Sequence, residues 1–175
     1  MYQSPHRHLL FIIVLIASLF AGKAAQCEHI VLSSVHADYV LIEKSLKRMT
    51  LFSNNKPIKS YSVALGRNPD GPKLEQGDKR TPEGRYVIDS RNPDSKYHMS
   101  LHISYPNDID REITSLAGVD PGGNITIHGT GEEYAWMGKF HKVLDWTDGC
   151  IAVTDEEIEE IWGLVPDGAV VEIRP

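Results

Sequence analysis

Apolar and polar positions alternate in short runs over most of this chain, and the period of each run predicts the element it forms. Residues 39–43 and 49–52 carry the two-residue period of strands with one buried face, and Asn54-Asn55 tolerates the positive φ of a tight turn into a third strand over 58–65. The chain therefore opens as a β-meander. Residues 66–84 hold four glycines, three prolines and many charges, which propagate neither helix nor strand, so they read as one long loop. Further strands are predicted over 85–89, 100–104 and 124–128. In the last of these Ile125 and Ile127 point inward, while Thr126 and His128 occupy the other face, so His128 ends a strand facing away from the core. A short helix is predicted over 108–116, closed by Gly118. The C-terminal stretch reads as a strand over 151–153, then a helix opened by a Thr154/Glu157 capping box with Ile158, Ile161, Trp162 and Val165 at helical spacing. Pro166 and Gly168 stop that helix before a closing strand over 169–173. The pattern predicts one mainly β domain with one or two helices.

The first residues break this pattern. Arg7 and two histidines precede an almost unbroken apolar run over 9–21, and Gly22, Lys23, Ala24 and Ala25 follow. That is the plan of a secretory signal, with cleavage expected after Ala24; the run is shorter than the roughly 20 apolar residues of a membrane span. Residues 1–24 are therefore read as a signal peptide, 25–37 as a leader and 38–174 as the folded domain, exported to the periplasm or cell envelope. The whole chain has 18 basic and 24 acidic residues, and cleavage removes Arg7 and Lys23 and no acid. Such an acidic protein has no electrostatic case for binding nucleic acid.

Chemistry concentrates in Asp145-Trp146-Thr147-Asp148-Gly149-Cys150, where a cysteine stands between a glycine-containing turn and an apolar strand. Gly149 lets backbone approach a substrate, and N–H groups at Gly149 and Cys150 are candidates for stabilising an oxyanion. A thiol needs a base to attack efficiently near neutral pH, and His128, also at a strand end and next to Gly129, is the candidate. Taken singly, Cys150 fits a buried inert thiol or a disulfide partner of Cys27 as well as a nucleophile, and His128 fits a satisfied structural histidine. Their matching turns favour the catalytic reading. His141 is read as a loop residue in water or a second imidazole of the site, and His98 and His102 as ordinary polar residues around a strand. Ser53-Asn54-Asn55-Lys56 matches a Ser-x-x-Lys pattern but falls in a hairpin turn, where a serine nucleophile has no helix to start. His128, His141 and Cys150 contain no short-spaced ligand pair to anchor zinc, so no metal is expected. Arg80 and Arg111 are possible carboxylate binders or plain surface charges.

Ile127-His128-Gly129 followed by Thr147-Asp148-Gly149-Cys150 resembles the catalytic signature of the YkuD-like L,D-transpeptidases. Val63-Ala64-Leu65-Gly66, the stretch from Gly77 to Gly84, and Pro121-Gly122-Gly123 are similar to other landmarks of that family. The resemblance implies a curved mixed β-sheet or sandwich, with Cys150 at the end of a cleft walled by loops. It implies a cofactor-free reaction: Cys150 attacks the L-centre carbonyl of a diamino acid in a peptidoglycan stem tetrapeptide, D-alanine leaves, and an amine resolves the thioester. With water as acceptor the same site is a hydrolase or amidase. Carbapenems, which acylate enzymes of this family, are implied inhibitors. One departure stands out: many members have His before Gly-Cys where this chain has Asp148, which leaves room for a catalytically silent wall-binding domain. Asp148 itself is expected to order the turn or hold an imidazole.

Overall fold

The computed structural model describes Val35–Pro175. The expected signal peptide and Cys27, with its disulfide expectation, lie outside the described residues. Eight strands form one mixed sheet: β1 (Tyr39–Glu43), β2 (Arg48–Ser53), β3 (Lys56–Ser62), β4 (Gly84–Ser95), β5 (His98–Ile103), β6 (Thr126–His128), β7 (Ile151–Ala152) and β8 (Val170–Arg174). Their order is β3-β2-β1-β8-β4-β5-β6-β7, with β1·β8 and β6·β7 parallel and the other pairs antiparallel.

The long strand β4 joins the two halves. Its first four residues pair with β8 and its remainder with β5, and the register shifts twice along the second part, between Ile88 and Ser90 and between Asn92 and Ser95. Such irregularities bend a strand and increase its twist, which curves the sheet. Curvature brings the outer edges together. Past the end of β3, Ala64 and Ala152 exchange both backbone hydrogen bonds at 2.9 Å; Thr147 N–H donates to Leu65 O at 3.1 Å, and Arg67 N–H to Thr147 O at 3.0 Å. The curved mixed sheet expected from the sequence is present.

Among the described residues three α-helices accompany it: α1 (Asp108–Ala117), the single turn α2 (Gly131–Tyr134) and α3 (Asp155–Leu164). Both ten-residue helices open with reciprocal capping boxes, Asn107/Asp110 and Thr154/Glu157, the second of which the sequence signals. A 3-10 segment, Ala135–Lys142, follows α2. Periodicity gives no sign of it, since Gly138 interrupts it with non-helical angles. Among the described residues no helix is long and apolar enough to cross a membrane.

The core is built from inward residues of both halves, including Val40, Ile42, Leu51, Leu101, Ile127, Ile151 and Val171, with Ile158 and Ile161 of α3 packed against them. Ile127 is fully buried in the three-residue strand that carries His128. Ile127→Ala is expected to cost about 2–5 kcal/mol through lost burial and the cavity it leaves, read as a lower denaturation midpoint with an unchanged denaturant slope.

Candidate active site

The short parallel pair β6·β7 sets the geometry of the site. Its register aligns Ile127 with Ile151 and His128 with Ala152, which places Cys150 alongside Thr126. Cys150 is a free, half-buried thiol. Its Sγ accepts from Thr126 Oγ1 at 3.6 Å and donates to Asn124 O at 3.7 Å. Burial pushes the thiol above its ordinary value; the Thr126 N–H and hydroxyl pull it back, the Asp148 carboxylate raises it and the Lys73 ammonium lowers it.

The turn before Cys150 is held by Thr147, a residue the sequence argument passed over except as part of the motif. Its buried hydroxyl donates to Cys150 O at 2.7 Å and accepts from Gly149 N–H at 3.1 Å. The Gly149 N–H, one of the two expected oxyanion donors, is thus hydrogen-bonded to Thr147 in this arrangement. What Gly149 supplies is conformation and closeness. Its φ of 131° disfavours a side chain, and a Cβ there would lie 2.7 Å from Arg80 O. The long loop of residues 66–83 thus packs backbone to backbone on the cysteine turn. Lys44 anchors that loop from the sheet, its buried ammonium reaching Gly71 O, Thr81 O and Glu83 Oε1 at 2.7–3.0 Å.

His128 does not face water, although its strand face is the one opposite Ile127. It is 1% exposed, because the segment after β6 and the turn between β4 and β5 cover that face with aromatic rings. Tyr97 stacks on the imidazole with centroids 4.3 Å apart, and Trp146 meets it edge-on at 5.9 Å. Its Nδ1 lies 2.6 Å from Gly129 O. A carbonyl oxygen only accepts, so Nδ1 carries the proton and Nε2 is left as the basic nitrogen. Burial lowers the imidazole from 6.5 to about 4, with Lys96 and His141 adding to the shift and the Gly129 bond and Asp155 opposing it. His128 is neutral at pH 7. In this resting arrangement thiol and imidazole are not hydrogen-bonded to each other.

Asp155, at the start of α3, fixes the turn that follows His128. Its Oδ1 accepts from Thr130 N–H at 2.7 Å, Gly131 N–H at 3.0 Å and Thr130 Oγ1 at 3.1 Å. Gly129 leaves no room for a side chain, since a Cβ there would sit 2.4 Å from Asp155 Oδ1. Sequence spacing gave no hint of this clamp, because 25 residues separate its partners.

The other candidates fall into place. Asp148 neither orders the turn nor holds an imidazole: its side chain is 75% exposed and lies 3.2 Å from Arg67. His141 is fully buried, contrary to the loop-in-water reading, and burial lowers its pKa. Both of its ring nitrogens lack hydrogen-bond partners. His98 and His102 pair with Glu159 and Asp89, at 2.7 and 2.6 Å. Ser53 ends β2 at a hairpin, as its turn context predicts. Arg111 is exposed on α1, while Arg80 lies in the loop beside Gly149. Among the described residues no group of three or more potential metal ligands occurs.

Residues 37–173 match the YkuD family model, described as the L,D-transpeptidase catalytic domain. The chain belongs to this family. A relative in Escherichia coli (strain K12), whose name, L,D-transpeptidase YafK, is itself provisional, is 29% identical over 143 residues, covering 78% of this chain and 50% of that one. The chain spans about half the length of the curated relatives it matches. Among solved structures, the helical cell shape determining protein Pgp2 of Campylobacter jejuni superposes with a TM-score of 0.59 at 25% identity, over 78% of this chain and 46% of that one. An L,D-transpeptidase of Mycobacterium smegmatis shares the fold, with a TM-score of 0.53 at 12% identity over 78% and 58% of the two chains.

Two outcomes follow from this geometry. Thr147→Val keeps the shape but removes both hydroxyl bonds, and is expected to cost about 1–3 kcal/mol of stability, with Thr147→Ser recovering most of it; thermal melts decide this. The lowered His128 pKa makes stability fall with pH. Between 6.5 and about 4 the unfolded chain binds a proton there that the folded chain refuses, a loss on the order of 3 kcal/mol as pH drops through that window. Denaturant titrations at pH 7 and 4.5 are expected to show this loss in wild type and a smaller one in His128→Gln.

Proposed function

We propose that this protein is a cysteine-dependent peptidoglycan L,D-transpeptidase, exported to the cell envelope, with Cys150 as nucleophile and His128 as general base. The observation that carries the reading is a thiol and a buried, neutral imidazole on the same face of one short parallel strand pair, the imidazole held in a single tautomer by Gly129 O. Membership of the family supports it independently.

The reaction follows from these groups. The thiol gives up its contact with Asn124 O and passes its proton to Nε2 of His128 as sulfur attacks the L-centre carbonyl of the stem tetrapeptide. The Cys150 N–H stabilises the developing oxyanion. Collapse breaks the C–N bond, and the imidazolium returns its proton to the departing D-alanine amine. The resulting thioester is resolved by an amine acceptor, with the thiol re-formed. Because burial pushes the thiol up and the imidazole down, the resting pair is uncharged. Water in the acceptor position makes the same chemistry hydrolytic. The helical cell shape role named for the Pgp2 relative is consistent with an enzyme that remodels wall peptides.

Mass spectrometry of the purified protein after incubation with a carbapenem is expected to show one covalent adduct, absent in Cys150→Ala. His128→Gln is expected to slow its formation by at least about 100-fold, and His141→Ala by far less. Disaccharide tetrapeptide should lose D-alanine in parallel. An adduct that survives in Cys150→Ala reassigns the nucleophile; no adduct together with no tetrapeptide turnover means a catalytically silent domain.

A further inference from the structure

Strands β4 and β5 are joined by only two residues, Lys96 and Tyr97, with Ser95 paired to His98 across the turn. The turn is tightly built: Ser95 Oγ accepts from Tyr97 N–H at 3.2 Å, and Met99 N–H donates to Tyr97 O at 3.1 Å. Its backbone is seated on the chain that follows His128. A Cβ on Gly129 would lie 2.9 Å from Tyr97 O, and one on Gly131 would collide with Lys96 O and lie 2.8 Å from Tyr97 Cα. The two glycines after the histidine therefore make room for this hairpin tip, and its side chains reach the imidazole from a fixed base.

Tyr97 stacks on His128 with centroids 4.3 Å apart and ring planes 22° from parallel, and the ammonium of the exposed Lys96 lies over the same Tyr97 ring, 4.6 Å from its centroid. Ammonium and imidazole therefore share one ring and lie within about 9 Å of each other, on the order of one Debye length at physiological salt. The face of a tyrosine ring attracts a cation. With Lys96 already there, an imidazolium forming at His128 gains less from the ring and is repelled by the ammonium. Burial does most to keep the imidazole neutral. Among the charges facing it, His141 of the 3-10 segment opposes protonation together with Lys96, Asp155 of α3 favours it, and Cys150 across the strand pair is a neutral thiol. Lys96 itself stays an ammonium, since Tyr97 foremost, then Glu133 and Tyr134 of α2, hold it above its ordinary value.

On the reading of His128 as general base, on which this inference rests, the imidazole takes the thiol proton and then returns it to the leaving amine. We propose that the Lys96-Tyr97 tip is a positioning element for this base: the Tyr97 ring fixes the plane of the imidazole, and the Lys96 ammonium on that ring makes the imidazolium a readier proton donor. Both side chains act through His128.

Two readouts on the full chain separate this inference from the function it rests on. The first is the NMR titration of the His128 ring, assigned by its loss in His128→Gln, which requires no activity. Lys96→Met is expected to move that titration upward by about half a unit, and Lys96→Arg to leave it in place. Raising the salt to about 1 M is expected to move wild type toward Lys96→Met and to leave that variant unchanged. The second readout is the acid limb of the pH profile of carbapenem adduct formation, which is expected to shift with the ring. Tyr97→Leu is expected to slow adduct formation about tenfold with little change in the half-saturating carbapenem concentration, and Tyr97→Phe to restore it; thermal melts establish that each variant is folded. A ring titration indifferent to Lys96 and to salt overturns the tuning by Lys96, and a wild-type rate in Tyr97→Leu overturns the positioning by Tyr97. If the ring titration moves while the limb of adduct formation stays, or if wild type forms no adduct, the general-base reading itself fails, and this inference with it.

Discussion

The reciprocal bonds between Ala64 and Ala152, with those joining Leu65 and Arg67 to Thr147, are the contacts on which the site depends. Strand β7 is only two residues long and lies at the edge of the sheet. An edge strand this short, paired on one side, has little to hold it. The chain leaving β3 supplies the second side, and by doing so draws the first and last strands of the sheet order together. The same step seats Gly66 against Gly149, where a Cβ on Gly66 would come within 3.1 Å of the Gly149 Cα. Closure of the sheet and placement of the cysteine turn are thus one event, and the bends in β4 that allow the closure act on a residue far from them in sequence.

The second constraint is electrostatic. His128 is enclosed by Tyr97 and Trp146, and Tyr134 packs on Trp146 at 4.3 Å. Enclosure strips water from the imidazole and keeps it neutral, while the bond to Gly129 O chooses which nitrogen carries the proton. Asp155 holds the following turn, so the helix that caps the domain also fixes the orientation of the base. A loop that reads as irregular in sequence becomes a wall because Lys44 ties it to the sheet and Gly66 N–H, donating to Thr81 Oγ1 at 3.0 Å, closes its start on its end.

Local signals were legible in the sequence where they rest on short-range physics. The meander and its Asn54-Asn55 turn, the Thr154/Glu157 box and the helix over 108–116 follow from period and capping alone. Element ends shifted by a few residues, most in β4, whose Asn92-Pro93-Asp94 segment looks like a loop and is carried as strand by its pairing with β5. The Ala135–Lys142 segment gave no periodic signal, and His141 within it is fully buried, close enough to Asp155 and Glu157 of α3 to feel their charges.

By itself the sequence determined the mainly β class, the glycine-flanked cysteine and histidine, and the family they belong to, because each is written in residues close together along the chain. Only the tertiary structure decided that His128 is buried rather than exposed, that Thr147 rather than Asp148 orders the turn, and that Gly149 N–H is already engaged. It also brought the Lys96-Tyr97 hairpin tip onto His128. The physical reason is common to all four. Burial, hydrogen-bond partnership and charge neighbourhood are set by segments that meet across the closed sheet, and periodicity along one segment carries no record of what will cover it.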